Sequence, residues 1–164
     1  MRIGSEDEGC VLHEFLINDI TDGAGIFENK YGKFKVKSGI VIFHFPGVWR
    51  RYKPKLKTGW VENYVEFEGK IAKEFFHHLL FTSKKPVLQI GIKEKILDAY
   101  FKIFNFVEKE KSGVQQIASG IDIKLLGYII SHEKQKDFSG NGISKIIEET
   151  RFMIRQNVEQ EINL

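Results

Sequence analysis

Hydrophobic spacing changes character near Gly69. From Val11 to Phe67 apolar residues come in short or alternating runs, separated by glycine, Asn and Asp, as strands and turns require. Val11 to Ile20 predicts strand, turned by Thr21-Asp22-Gly23-Ala24-Gly25. Ile26–Asn29 and Phe34–Val36 predict short strands around Lys30-Tyr31-Gly32. Ser38-Gly39 leads into the apolar run Ile40 to Phe45, which Pro46-Gly47 ends because proline lacks the ladder N–H and glycine accepts turn dihedrals. A basic, aromatic connection follows to Thr58-Gly59, and a new strand starts at Trp60. That connection and its flanks hold two of the three prolines and both tryptophans. Alternation from Trp60 to Phe67 puts Trp60, Glu62, Tyr64 and Glu66 on one face, and Val61, Asn63, Val65 and Phe67 on the other. Strands at this spacing predict a sandwich or barrel instead of a βαβ sheet.

Beyond Gly69 the period becomes helical. Ile71, Ala72, Phe75, Phe76, Leu79 and Leu80 form one stripe over Lys70 to Phe81, and Ile96, Leu97, Tyr100, Phe101, Phe104 and Val107 another over Ile92 to Val107. Pro86 to Ile90 predicts one last strand between them. Ser112-Gly113-Val114-Gln115 reads as a capping box, opening a helix to about Ser131 on Val114, Ile117, Ile121, Leu125, Tyr128 and Ile129. Gly120 and Gly127 lie on its opposite face, where close approach of another helix would offset their low helix propensity. Asp137-Phe138-Ser139-Gly140-Asn141-Gly142 reads as a linker, and Ile143, Ile146, Ile147, Thr150, Ile154 and Val158 mark one more helix. The chain stops at Leu164 without a terminating element, as a truncated module would.

Composition narrows this picture little. With 42% hydrophobic residues a real core is available. A net charge of +3 neither requires nor excludes a nucleic-acid partner. The single Cys10 excludes an intrachain disulfide and suits a reducing compartment. An acidic N-terminus without an apolar core is not a signal peptide, and no apolar run approaches the ~20 residues of a membrane span. The sequence therefore predicts a soluble, cytoplasmic protein without a membrane partner.

Candidate chemistry is sparse. The five histidines are His13, His44, His77, His78 and His132, and they show no spacing that converges three ligands on a metal. Cys10 lies among acidic residues, not beside the cationic groups that activate a nucleophilic thiol. There is no nucleophile elbow, P-loop or dinucleotide fingerprint. The mixed face of Trp60–Phe67, with aromatic planes beside carboxylates, has the makings of a polar small-molecule pocket. Arg50 and Tyr52 share a face if their segment is extended. The basic cluster Arg50, Arg51, Lys53, Lys55 and Lys57 has no recognition helix to place in a major groove.

One long pattern carries a resemblance. Phe45-Pro46-Gly47-Val48-Trp49-Arg50-Arg51-Tyr52-Lys53-Pro54, then Gly59-Trp60 and Phe67-Glu68-Gly69, resembles the N-terminal sensor domain of AraC-type transcription regulators. Asp22-Gly23-Ala24-Gly25-Ile26-Phe27 matches that family's glycine turn, and residues 147–157 are similar to the helix opening its DNA-binding region. The family often has His at Arg50, Trp at Tyr64 and Gly-Asp at Gly39-Ile40. The resemblance implies an α+β chain with a cupin-like (jelly-roll) β-barrel whose metal ligands are usually missing, followed by a helical dimerisation region.

The expected domains are a sensor barrel at 1–92, a helical dimerisation segment at 93–136, and a linker with the first helix of a helix-turn-helix module at 137–164. The resemblance implies a bacterial, non-enzymatic effector-sensing domain for a carbohydrate or related polar metabolite. Expected ligand contacts are Arg50, Tyr52, Trp60, Glu62, Tyr64 and His13, with no metal and no cofactor. Expected dimer contacts are Ile117, Ile121, Leu125, Tyr128 and Ile129, divided between the barrel and a second copy. DNA would be a partner only through the C-terminal helix-turn-helix region. The alternatives are a cupin-fold enzyme, such as a sugar isomerase or dioxygenase, and a dimerisation module without ligand.

Overall fold

A computed structural model describes residues 8–78, 82–109 and 113–139. In chain order they form β1 (Cys10–Val11), β2 (Phe15–Asn29), β3 (Gly32–Lys37), β4 (Ile40–His44), β5 (Trp49–Pro54), β6 (Trp60–Phe67), α1 (Lys70–His78), β7 (Val87–Gln89), α2 (Glu94–Glu108) and α3 (Val114–Ser139). The chain divides into two compact units, Met1–Tyr128 and Ile129–Leu164. The first holds all seven strands. The described part of the second is the final stretch of α3.

Among the described residues every strand pairing is antiparallel, and β2 takes part in four of the six. Its first half pairs with β4 and β6, and its second half with β3 and β5. β7 extends the first group through β4, and β1 extends the second through β5. The result is an α+β, cupin-like jelly roll whose sheet does not close on itself.

Thr21–Gly25, expected to be a turn, is instead a bend inside the continuous β2. The register against β6 slips between Ile20 and Asp22, a bulge that adds local twist and redirects the strand. Gly23 then takes φ +81°, and a Cβ there would meet the Trp60 Cα at 2.6 Å. Glycine is needed because the backbones of β2 and the start of β6 touch at this point. Phe45–Pro54 also departs from expectation, because its second half is the strand β5 and not a connection.

Pleating sorts β2 into two environments. Ile20 and Phe27 face the interior, where they pack with Val36, Ile40 and Ile42. Phe15 and Ile17 face the helices. Phe15 stacks on Phe76 of α1 with ring centroids 4.4 Å apart, and the Tyr100 hydroxyl of α2 donates to the Ile17 carbonyl at 3.3 Å. Each such fully buried side chain contributes about 1.5–3 kcal/mol relative to exposure.

The helices are as the spacing predicts in position but not in extent. α1 is described to His78, so Leu79–Phe81 lie outside the described residues, as does Ser112 of the expected capping box. α3 continues through Asp137–Ser139, where the linker was expected to begin. Residues 140–164, with the expected further helix, also lie outside. Nothing within the described residues approaches Gly120 or Gly127, so the close helix contact expected there is not made among them. Among the described residues no helix is long and apolar enough to cross a membrane.

Candidate functional site

The interior of the sandwich is hydrophobic except for one band of polar side chains. Asn18 on β2 and His44 at the end of β4 are 1% and 2% exposed, and Arg50 on β5 is 6% exposed. Strand register explains why they point inward. Asn18 lies opposite Ile42, and Arg50 lies opposite Asn29, on the same pleat as Phe27 and Tyr52. Tyr52, Trp60 and Glu62 complete the band as half-buried neighbours.

Several of these groups have hydrogen-bonding capacity left over. Asn18 Nδ2 donates to Glu62 Oε2 at 2.7 Å, while Asn18 Oδ1 is buried with no partner. Both His44 ring nitrogens are buried and unpartnered, as are Arg50 Nε and Nη1. Buried polar atoms in native proteins are nearly always satisfied by protein or by water. A band with this many open donors and acceptors can receive water or another hydrogen-bonding molecule.

Aromatic rings hold the band in place. The His44 ring meets Phe27 edge-on at 5.0 Å, and Tyr52 sits 5.7 Å from Trp60. The Arg50 guanidinium carbon lies 5.1 Å from the Tyr52 ring centroid, a cation–π distance. Beside Arg50 is a small cavity of about 10 Å³, the space of about one water. Its walls are Phe27, Phe43, Phe45 and Val48, with Asn29, His44 and Arg50 as the polar members.

Electrostatics follow from burial. Desolvation, aided by the Arg50 charge, holds His44 well below the usual imidazole range, so it is neutral at pH 7. Burial raises the Tyr52 hydroxyl, opposed by the nearby Arg50 charge and a hydrogen bond to it. Arg51, one residue along, faces outward and meets Glu28 at 2.6 Å. The basic cluster expected from the sequence is therefore divided, with Arg50 inside and Arg51 outside.

Arg50, Tyr52, Trp60 and Glu62 are thus brought to one band. Tyr64 is 59% exposed, because β6 is an outer strand of its sheet, and His13 is exposed on the bend before β2. Glu62 pairs with Asn18. Among the described residues no carboxylate lies within ion-pair distance of Arg50.

Asn18 and His44 are members that sequence reasoning missed. Asn18-Asp19 interrupts Phe15-Leu16-Ile17 and Ile20, so on a strand it puts one polar group on each buried face. That interruption was the available signal. His44, weighed only as a metal ligand, ends a five-residue run buried on both faces. No group of three His, Cys, Asp or Glu converges as a metal site among the described residues.

On the helices, Leu125 and Ile129 are completely buried, Ile121 and Tyr128 are half-buried, and Ile117 is exposed. The α2 stripe separates into two. Ile96, Ala99 and Tyr100 are buried, whereas Phe101, Phe104 and Val107 are 62%, 63% and 56% exposed.

Comparison with known protein families matches residues 11–120 to the family described as the AraC-like ligand binding domain. No curated protein matches the sequence.

Proposed function

The chain belongs to the AraC-like ligand-binding domain family, and from that premise we propose that it is the effector-sensing and dimerising part of a bacterial, cytoplasmic transcription regulator. Its ligand is a carbohydrate or related polar metabolite, bound in the interior band of Asn18, His44, Arg50, Tyr52, Trp60 and Glu62. The observation that carries this reading is the set of buried, unpartnered polar atoms inside the sandwich. A core with no ligand to receive would have been more stable if filled with hydrocarbon. The domain binds and does not catalyse. In the intact regulator DNA would be met by a C-terminal helix-turn-helix region.

Hydroxyl groups of a ligand would replace water at Asn18 Oδ1 and Glu62, with a ring against Trp60 and Tyr52. Thermal-shift screening of sugars, polyols and sugar acids should find at least one ligand that stabilises the chain. Glu62→Gln and Trp60→Ala should each weaken that ligand about five- to twentyfold by calorimetry, as expected for one charged hydrogen bond or one stacking ring. Full binding by both variants would move the site elsewhere.

The helical region is read as the dimer surface, with the exposed row Phe101, Phe104 and Val107 added to Ile117. Three large apolar side chains in one exposed row make a patch of the kind that marks association sites. Phe104→Asp should convert a dimer to monomer in sedimentation at tens of micromolar, a loss of about tenfold or more in association. Leu125→Asp would be uninformative, because a carboxylate at that buried position would unfold the chain. A parent chain already monomeric at this concentration would remove the dimer from the reading.

A further inference from the structure

The interior band has two chemically different ends. At one, Glu62 and Asn18 Oδ1 are acceptors suited to ligand hydroxyls. At the other, Arg50 supplies N–H donors and a positive charge, with no carboxylate among the described residues at ion-pair distance. We propose that the effector carries a carboxylate, which enters the small cavity beside Arg50 and is held by its guanidinium against the His44 ring. This rests on the ligand-sensing reading and adds the ligand's chemical class, a small hydroxylated carboxylic acid.

The case begins with cost. A guanidinium cannot shed its proton, so burial leaves it charged. An unpaired buried charge is among the most destabilising features a core can hold. The Tyr52 ring relieves only part of that, since cation–π attraction is worth less than the desolvation of an ion. Alternation shows that the sequence does supply carboxylate partners on this sheet. Glu28 answers Arg51 on the outer face at 2.6 Å, while no described carboxylate answers Arg50 on the inner face. The missing inner counter-charge is what a ligand would bring.

The cavity agrees in polarity. Asn29 is already engaged, with Nδ2 donating to the Ser83 carbonyl at 2.7 Å and Oδ1 accepting from the Tyr31 amide at 2.8 Å. Phe27, Phe43, Phe45 and Val48 offer no hydrogen bonds. The unmet polar capacity at this end therefore belongs to Arg50 and His44. Neutral His44 contributes one N–H donor and no charge, whichever tautomer it adopts.

One cation and one neutral donor suit a singly charged anion. A phosphate monoester would bring nearly two charges and three strong acceptor oxygens, more than these two groups answer. The cavity holds about one water, so either anion must displace the surrounding side chains to enter, a carboxylate by less than a phosphate. A neutral sugar would leave the Arg50 charge uncompensated. The carboxylate is the anion that matches charge and donor number.

The test uses the full chain and acetate, the head group alone. Arginine Nε–H resonances are followed by NMR at pH 7 and constant ionic strength during titration with acetate, acetamide or inorganic phosphate. The Arg50 resonance is identified by its loss in Arg50→Gln. Acetate should shift it saturably, with half-saturation on the order of 1–10 mM for so small a ligand, and acetamide should not. Acetate should also raise the melting temperature of the parent and not of Arg50→Gln. The proposal is overturned if acetate and acetamide act alike, if phosphate saturates the resonance and acetate does not, or if acetate acts at another arginine. If Arg50→Gln folds poorly, Arg50→Lys, which keeps the charge but has no guanidinium Nε–H, identifies the resonance instead and leaves the acetate–acetamide comparison decisive. A neutral polyol that binds through Glu62, with acetate inert, would remove the carboxylate and leave the sensor reading intact. Inertness to every sugar, polyol and acid would remove both.

Discussion

Arg50→Met should make the ligand-free chain more stable, by about 1–3 kcal/mol in urea denaturation at pH 7, while abolishing its response to acetate. Three effects compete. The substitution loses the cation–π contact with Tyr52, worth about 0.5–2 kcal/mol, and the hydrogen bond between Arg50 and the Tyr52 hydroxyl. It also removes the penalty of burying a guanidinium with Nε and Nη1 unpartnered, several kcal/mol even after relaxation. Met is flexible enough to fill the vacated space among Phe27, Phe43 and Val48. The desolvation term is the largest, so the sign is stabilising. This is the stability–function trade-off expected when a core position is kept for a ligand. A variant less stable than the parent would mean that Arg50 is already satisfied without ligand, and that its role is structural.

Much of the sandwich was legible because a strand writes its two faces into alternate residues. Trp60–Phe67 was bounded correctly as β6, and the Ile26–Val36 hairpin fell where its turn residues placed it. What failed was anything decided by partners far away in sequence. Gly23 and Gly25 look like turn glycines locally, yet β2 runs through them because β5 and β6 approach too closely for a Cβ. Trp49–Pro54 reads as a basic connection until its pairing with the second half of β2 turns Arg50 and Tyr52 inward and Arg51 and Lys53 outward. The six expected site residues were chosen from one strand face and one segment. Register brings four of them to the interior band, but Asn18 and His44 join it from strands read only as hydrophobic core. Helix α2 shows the converse limit. Its apolar positions fit one broad stripe, and only the fold reveals that half of that stripe, Phe101, Phe104 and Val107, faces away from the chain's own core.

Asp19, on the helix-facing side of β2, should oppose folding at neutral pH. Its residue is 3% exposed, and burial alone pushes its carboxyl up to about 6 from an ordinary 3.8. Asp19, together with Asp122 and Glu62, in turn pushes the buried Tyr100 hydroxyl further upward. The direction follows from linkage. Below about pH 3.8 the carboxyl is protonated in both folded and unfolded chains, and there is no penalty. Between about 3.8 and 6 the unfolded chain gives up its proton while the folded chain retains it, so stability falls as pH rises. Above about 6 the deficit is constant. At 1.36 kcal/mol per pKa unit, and discounting for incomplete burial of the carboxyl, it amounts to about 2–3 kcal/mol. Asp19→Asn keeps the shape and a neutral polar group, as the protonated acid does. It should therefore stabilise the chain by about that amount at pH 7.5 and by little at pH 4. Comparing parent and variant at each pH isolates this one group from Asp122, whose carboxyl burial also raises to about 6, and from His44. Paired urea titrations at the two pH values measure the difference directly. A variant that is destabilised at both, or whose gain is the same at both, would show that the Asp19 carboxylate has a partner which offsets its burial.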